Sequence, residues 1–488
     1  MKANAVTRIC MVLLILQFLL SSCQQSPNAN IVTSKNDGSF DVNTVISASE
    51  HRDPDATQSA VYGEKFYSTD GTVQFLLSID ETVTAVGMPV VEVEPHYLTE
   101  QEAERVAKVL FCDTEYYEAE IMLSPVYSRS DIQEKIERWS QYTNNVSVES
   151  LFGEKREDTV DLVKKFIADY TQQMTVAPTD NPHVPCKWEY QKESYYYFPP
   201  EMIANTSNDN DMIRASLVSG DIHYIYNVEK RNGDDYKISY ISAYLDDGIG
   251  PDFIDVLIFR AKLCRTNEPT EDQLSMVKAK AESMLQQMML GDWLVDECYL
   301  ETKYYGDVPE YIIHVNAVPV LNGVPAIRSP QLTNLTSEES YASNYYLTDA
   351  KFEFSANGEL VSFCMYSPID IKSIVNDNVA VMSIDKLVNK AKTHLSLSDY
   401  YEYGFGPVID SVDEELGCIV NIIDLEYNLT RVKVPNTDES YYYIPGISLI
   451  GNVEYYGKDT GNVYFTNDSI TLVTLNGVDG SVVKTTNE

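Results

Sequence analysis

The stretch TEDQLSMVKAKAESMLQQMMLG, residues 270–291, decides how the rest of this chain is read. Thr270 followed three positions later by Gln273 is a capping box, in which each side chain serves the other's backbone N–H at a helix start. Leu274, Val277, Ala281, Met284, Leu285 and Met288 then recur at helical spacing and give the helix one apolar face. Gly291 supplies the stop. A one-sided helix must cover something, and the residues after Gly291 are strand-like. Tyr299 to Tyr304 and Tyr311 to Val320 come first, then Ala350 to Ser355 and Leu360 to Tyr366 about Asn357-Gly358. Asn-Gly marks a tight hairpin, where the backbone needs positive φ.

The pattern recurs on both sides. Downstream, Ser383 caps a helix with Ile384, Leu387, Val388, Ala391 and Leu395 inward. Strands at Ile419 to Leu425, Tyr441 to Leu449 and Ile470 to Leu475 come next, and a hairpin turns at Asp479-Gly480. Upstream, Val61 to Tyr67 and Val73 to Ile79 flank Ser68-Thr69-Asp70-Gly71, and Pro89 to Val93 makes another β run. Thr99 and Glu102 form a second capping box, ahead of Ala103, Val106, Ala107 and Leu110. Helices are expected from about Ser130, with Ile132, Ile136 and Trp139 aligned, and from about Thr159 to Met174, with Leu162, Phe166 and Ile167 inward. Tyr224 to Val228 and Tyr236 to Tyr244 flank Asn232-Gly233. Helices segregated from hairpin-linked strands imply an α+β fold, antiparallel sheets each packed by amphipathic helices. The unequal spacing of the units excludes a solenoid.

The N-terminus speaks of location. Lys2 and Arg8 precede an apolar run from Ile9 to Leu20, which ends in Leu20-Ser21-Ser22-Cys23. A basic region, an apolar region and small residues before a cysteine are the ordered parts of a lipoprotein signal, with Cys23 as the lipidation site. The run is short for a membrane-spanning helix. Residues 24–57 are polar and lack hydrophobic periodicity, as a flexible tether would be. The expected organisation is a signal over 1–23, a tether over 24–57, an N-terminal α+β domain over 58–265, and two helix-on-sheet units over 266–378 and 379–488. The protein is expected outside the cytoplasm, held to the cell membrane by lipid.

These features together carry a resemblance. The closing helix, strands and Leu475-Asn476-Gly477-Val478-Asp479-Gly480-Ser481-Val482-Val483 resemble the end of a PepSY-type repeat. With the lipobox and the tract Tyr441-Tyr442-Tyr443-Ile444-Pro445-Gly446 through Gly451, nearly the whole chain resembles uncharacterised lipoproteins of Gram-positive Firmicutes. It is more faintly similar to extracytoplasmic regulators of cell-wall-sensing histidine kinases. The resemblance implies PepSY-like repeated units and binding or inhibition of other surface proteins. It brings no catalytic residue.

Composition narrows the chemistry. The formal charge of −38 repels nucleic acid and anionic headgroups, which argues against DNA or RNA as partners. Apart from Cys10 and Cys23, the cysteines are Cys112, Cys186, Cys264, Cys298, Cys364 and Cys418, with no Cys-x-x-Cys pair. An even number in an exported chain permits disulfides. The apolar strand contexts of Cys298 and Cys364 favour buried thiols, and mostly free thiols are expected. There is no Gly-x-Ser-x-Gly, Ser-x-x-Lys, Walker loop or His-Glu-x-x-His. Gly248-Ile-Gly250-Pro251 and Gly404-Phe-Gly406-Pro407 lack a third glycine and read as loops, as do Asn208-Asp209-Asn210-Asp211 and Asp246-Asp247-Gly248. His51, His96, His183, His223, His314 and His394 show no metal-ligand spacing, and neither metal nor cofactor is expected.

Tyrosine is the abundant aromatic residue, at 35 against 15 Phe and 3 Trp. Tyr195, Tyr196, Tyr197 and Phe198 form one dense cluster, and Tyr441, Tyr442 and Tyr443 another. Tyrosine pairs an apolar face with a hydroxyl, which suits a peptide or sugar interface, so these residues are the candidate partner-binding positions. The plainer reading is that alternate tyrosines cover a half-buried sheet. The expected function is non-catalytic binding or regulation of an envelope protein or peptide. The rivals are an envelope hydrolase working through carboxylates and a solute-binding lipoprotein, the latter disfavoured because βαβ alternation is absent.

Overall fold

The computed structural model describes residues 57–84, 88–111, 116–118, 127–144, 156–179, 185–193, 210–219, 222–233, 236–245, 263–264, 267–305, 308–327, 348–379, 381–397, 415–433 and 441–483. The lipobox and Cys23, the tether up to residue 56, Cys112 and the cluster Tyr195–Phe198 lie outside them. Among the described residues no helix is long and apolar enough to cross a membrane.

The architecture is α+β, with mostly antiparallel sheets. A ten-stranded sheet holds β4 (Tyr116–Glu118), β5 (Gln191–Glu193), β6 (Asn210–Ser219), β7 (Ile222–Gly233), β8 (Tyr236–Leu245), β9 (Trp293–Tyr305), β10 (Val308–Leu321), β11 (Val324–Pro325), β12 (Asp349–Ser355) and β13 (Leu360–Tyr366). Helices α1 (Glu100–Phe111) and α4 (Glu271–Met288) cover one face of it. The second sheet has seven strands: β1 (Thr57–Tyr67), β2 (Val73–Thr84), β3 (Met88–Pro95), β14 (Ile369–Val379), β15 (Leu416–Lys433), β16 (Tyr441–Gly457) and β17 (Val463–Asn476). Helix α5 (Ile384–Leu397) packs on it. Helices α2 (Arg129–Asn144) and α3 (Arg156–Met174) form a pair with a small core of their own, in which Trp139 and Phe166 meet at 5.1 Å.

The local signals act as chemistry requires. Thr270 accepts from Gln273 N, and Gln273 Oε1 accepts from Thr270 N at 2.9 Å. The left-handed residue ending α4 is Met289, two positions before Gly291. The hairpin glycines Gly358 and Gly480 both have positive φ and both abut a helix. A Cβ on Gly358 would meet Met276 and Val277 of α4, and one on Gly480 would meet Lys390 of α5. Lys280 Nζ donates to Gly358 O at 2.7 Å, which ties that hairpin to its helix. In the β7–β8 pair Asn232 and Gly233 are still strand residues, opposite Lys237 and Tyr236.

Pairing crosses the boundaries drawn at residues 266 and 379. β1–β3, from the start of the chain, share a sheet with β14–β17, and β13 joins β8 edge to edge. β2 and β15 pair in parallel, against the antiparallel expectation. On β16, Tyr441–Tyr443 bond to β3, while residues from Gly446 onward bond to β17. Pro445 sits at the changeover, where its missing N–H costs no ladder bond. β14 is a strand that the sequence pattern does not announce. It is exposed over most of its length with no alternation, and it lies at a sheet edge with register shifts against β3.

Candidate binding face

The face of the ten-stranded sheet opposite α1 and α4 carries a line of hydrogen-bonding side chains. Strand register brings together Glu297 on β9, Asn316 on β10, Lys351 on β12, Cys364 on β13, Ser242 on β8, Asn227 on β7 and Arg214 on β6. The apolar residues alternating with them, among them Val315, Phe352, Phe363, Ala243 and Tyr226, face the helices. The line is partly bonded along its length. Asn316 Nδ2 donates to Glu297 Oε2 at 2.8 Å, and Arg214 Nε donates to Asn227 Oδ1 at 2.9 Å. Asn227 Nδ2 reaches Ser242 Oγ at 3.4 Å.

A second line runs beside it. Tyr299, His314, Glu353 and Ser362 stand opposite one another on β9, β10, β12 and β13. Tyr299 stacks on His314 at 4.9 Å, and His314 Nε2 lies 2.7 Å from Glu301 Oε2. A third pairs Asp349 with Tyr366 and Tyr366 with Tyr240, whose rings meet at 4.9 Å. The face is open at one end and closed at the other. Tyr299 is 37% exposed, whereas Ser242 and Asn227 are each 3% exposed.

Electrostatics makes this a surface that holds hydrogen bonds in place. Burial pushes the Cys364 thiol up to about 12, so it stays protonated. Burial also raises the Asp349 carboxyl, although Lys351 opposes this from 3.4 Å. The Lys351 ammonium is raised in turn by Asp349. At Glu301 burial works upward, but hydrogen bonds from Lys303 and His314 outweigh it and hold the carboxyl below its usual range. Among the described residues no three His, Cys, Asp or Glu side chains converge as metal ligands.

The two sheets meet beside this face. Arg431, on β15, is buried and donates from Nη1 to Thr348 Oγ1 at 3.0 Å. Its guanidinium lies 3.9 Å from the centre of the Tyr441 ring. Thr348 Oγ1 donates to Ser367 O at 3.0 Å. Ser367 takes a left-handed conformation, φ 47°, where the chain leaves one sheet for the other. Arg431 Nε and Nη2 and Asp349 Oδ1 have no hydrogen-bond partner among the described residues.

The tyrosine cluster at 441–443 therefore has a different place from a contact surface. Tyr441 and Tyr443 are only 2% and 3% exposed and belong to the core under α5, while Tyr442 points to the opposite face. The alternation of a strand divides the three between its two sides. Cys186, Cys264, Cys298, Cys364 and Cys418 are all thiols. The residues of the transverse lines escape sequence reasoning because they come from strands far apart in the chain. The signal available is the alternation itself, as in Glu297-Tyr299-Glu301 and His314-Asn316.

No family model matches the chain, and no curated protein does. One solved structure, an uncharacterised protein from Eubacterium rectale ATCC 33656, aligns with 91% of this chain and 99% of its own. It does so at a TM-score of 0.35 and 9% identity, a likeness too weak to carry an argument about fold or function.

Proposed function

We propose that this chain is a lipid-anchored extracytoplasmic protein of the bacterial envelope that binds a protein or peptide partner without transforming it. The anchor rests on the ordered signal ending at Cys23. The observation that carries the binding role is the open end of the transverse face, where Glu297, Tyr299 and Glu353 lie on the strands adjoining β10 and Tyr299 is exposed. Donors and acceptors fixed in strand register on a wide sheet suit an extended polypeptide, which presents its own donors and acceptors at regular intervals. The helix-and-hairpin units are read as PepSY-like, with Gly358 against α4 and Gly480 against α5 in support.

The test uses the full chain in its native membrane. Partners are captured by cross-linking in intact cells and compared between wild type and Tyr299→Ala/Glu353→Ala, whose circular dichroism should match wild type. Loss of a specific partner from the double variant supports the reading. Recovery of the same partners in the same yield overturns it. Cys23→Ser should move the protein from the detergent phase to the aqueous phase, and equal partitioning would remove the anchor.

A further inference from the structure

His96 lies on the connection between β3 and α1, where the chain passes from the seven-stranded sheet to a helix of the ten-stranded one. The return crossing, from β13 to β14, runs beside it. His96 N donates to Pro368 O at 2.8 Å. The ring joins the same two bodies through its edges. Nδ1 is 2.7 Å from Asp370 Oδ2 at the start of β14, and Nε2 is 3.3 Å from Glu102 Oε2 in the first turn of α1.

Glu102 is not free to turn into a donor. Its Oε2 accepts from Thr99 N at 2.8 Å as half of the capping box, and Arg105 lies 3.5 Å from its other oxygen. Burial pushes the Glu102 carboxyl upward, but the Thr99 hydrogen bonds and His96 outweigh this and hold it below the usual carboxylate range. It is therefore ionised at neutral pH. A carboxylate accepts and cannot donate, and a neutral imidazole has one N–H. Two carboxylates on the two ring nitrogens can both be satisfied only if both nitrogens carry a proton.

We propose that His96 is a proton-dependent clamp between the two sheets. As imidazolium it ties the start of edge strand β14 to the N-terminus of α1 across both crossings. When one proton leaves, a lone pair faces a carboxylate and one arm opens. The arm released is the one to Glu102, the longer contact, whose carboxylate keeps Thr99 and Arg105. The other charged groups about the ring are Glu94 on β3, opposite Asp370 in the strand register, and Glu100 at the start of α1. Tyr190 donates from its hydroxyl to Leu98 O at 2.8 Å and lies near enough for Glu102 to raise it, behind the larger effect of burial. Cations lie about the same groups, Arg105 beside Glu102 and Lys230 over the Tyr190 ring at 3.6 Å.

His314 supplies a control within the molecule. Its Nε2 also meets a carboxylate, but Nδ1 is 3.9 Å from Glu353, beyond hydrogen-bond reach. Only one of its ring nitrogens has a carboxylate within reach, and all its partners lie on adjacent strands of one sheet.

The experiment uses the full chain in detergent, labelled with 15N-histidine, between pH 5 and 8. His96 resonances are assigned by their loss in His96→Gln. At the acid end the ring should show two protonated nitrogens. As one proton leaves, the amides of residues 97–102 should exchange faster, by about tenfold or more beyond the intrinsic pH effect, the worth of one charge-assisted hydrogen bond. His96→Gln should exchange fast throughout and lack the step, while the His314 signals stay unchanged. Should that variant fold poorly, Asp370→Asn, at an exposed position, should leave the fold intact and weaken the step. A ring with one protonated nitrogen at every pH, or a step that survives unchanged in His96→Gln or in Asp370→Asn, overturns the proposal.

Discussion

Gly451 offers the sharpest test of how the seven-stranded sheet is held together. It lies on β16 between β15 and β17, paired with Ile422 on one side and Ile470 on the other. A Cβ added there would stand 2.0 Å from the Asn421 carbonyl oxygen and 2.9 Å from its carbon. Carbon and oxygen on neighbouring strands approach to about 3.3 Å at closest, so β15 and β16 must part by roughly 1 Å. An N–H···O bond tolerates only about half an ångström of stretch, so the nearest ladder bonds are lost. Two bonds at about 1 kcal/mol each, with looser packing around Ile422 and Leu449, put Gly451→Ala at about 3–5 kcal/mol of destabilisation. Gly63, on β1, is the matched control, because a Cβ there meets nothing within 4 Å. Gly63→Ala should be neutral or stabilising by up to about 1 kcal/mol. Urea unfolding followed by far-ultraviolet circular dichroism separates the two. With a slope of about 2 kcal/mol per molar, the Gly451→Ala midpoint should fall by roughly 1.5–2.5 M. A shift no larger than that of Gly63→Ala would refute the placement of β16 against β15.

Smaller features lead to other outcomes. Thr270→Ala removes the cap of α4 and should cost about 1 kcal/mol, measured as a fall in unfolding midpoint, with Thr270→Asp losing little. Cys364 and Cys418, both pushed to about 12 by burial, should resist a thiol reagent at pH 8 in the native protein and react once it is unfolded. The Glu102 carboxyl is held below its usual range in the folded chain, so its contribution is present above the unfolded value, about 4.3, and is lost as pH falls through the lower folded value. Glu102→Gln keeps the capping-box geometry and should flatten part of the decline in stability on acidification, read as unfolding midpoint against pH.

Much of this fold is legible from short-range chemistry. The capping boxes at Thr99 and Thr270 and the apolar faces of α1, α4 and α5 are all written within a few residues of each other. So are the hairpins at Gly71, Gly358 and Gly480, where the positive φ falls on glycine. Local pattern does not convey which strands become neighbours. β14 has the sequence IDIKSIVNDNV and exposes most of its length, so it shows no alternation to read. β1–β3 resemble a hairpin and a strand of a local domain, and only long-range pairing assigns them to the C-terminal sheet. The candidate face is hidden for the same reason. Arg214, Ser242, Lys351 and Asn316 are unremarkable singly and become a line only when register aligns seven strands. The tyrosines at 441–443 mislead for a related reason. Their density suggests a surface, but a strand sends alternate residues to opposite sides, and the inner pair meets the buried Arg431.

The parallel pairing of Val73–Leu77 with Cys418–Ile422 also sets an order in time. β2 emerges in synthesis well before β15, the strand that covers its open edge. Closing so long a loop is slow, since the entropy is spent before the contacts form. Until then the β1–β2 hairpin travels with a bare strand edge, a template for pairing with other chains. A chain cut short before residue 416 would keep that edge for good, so truncated products of this protein should aggregate through their first hairpin, although the missing part lies at the far end.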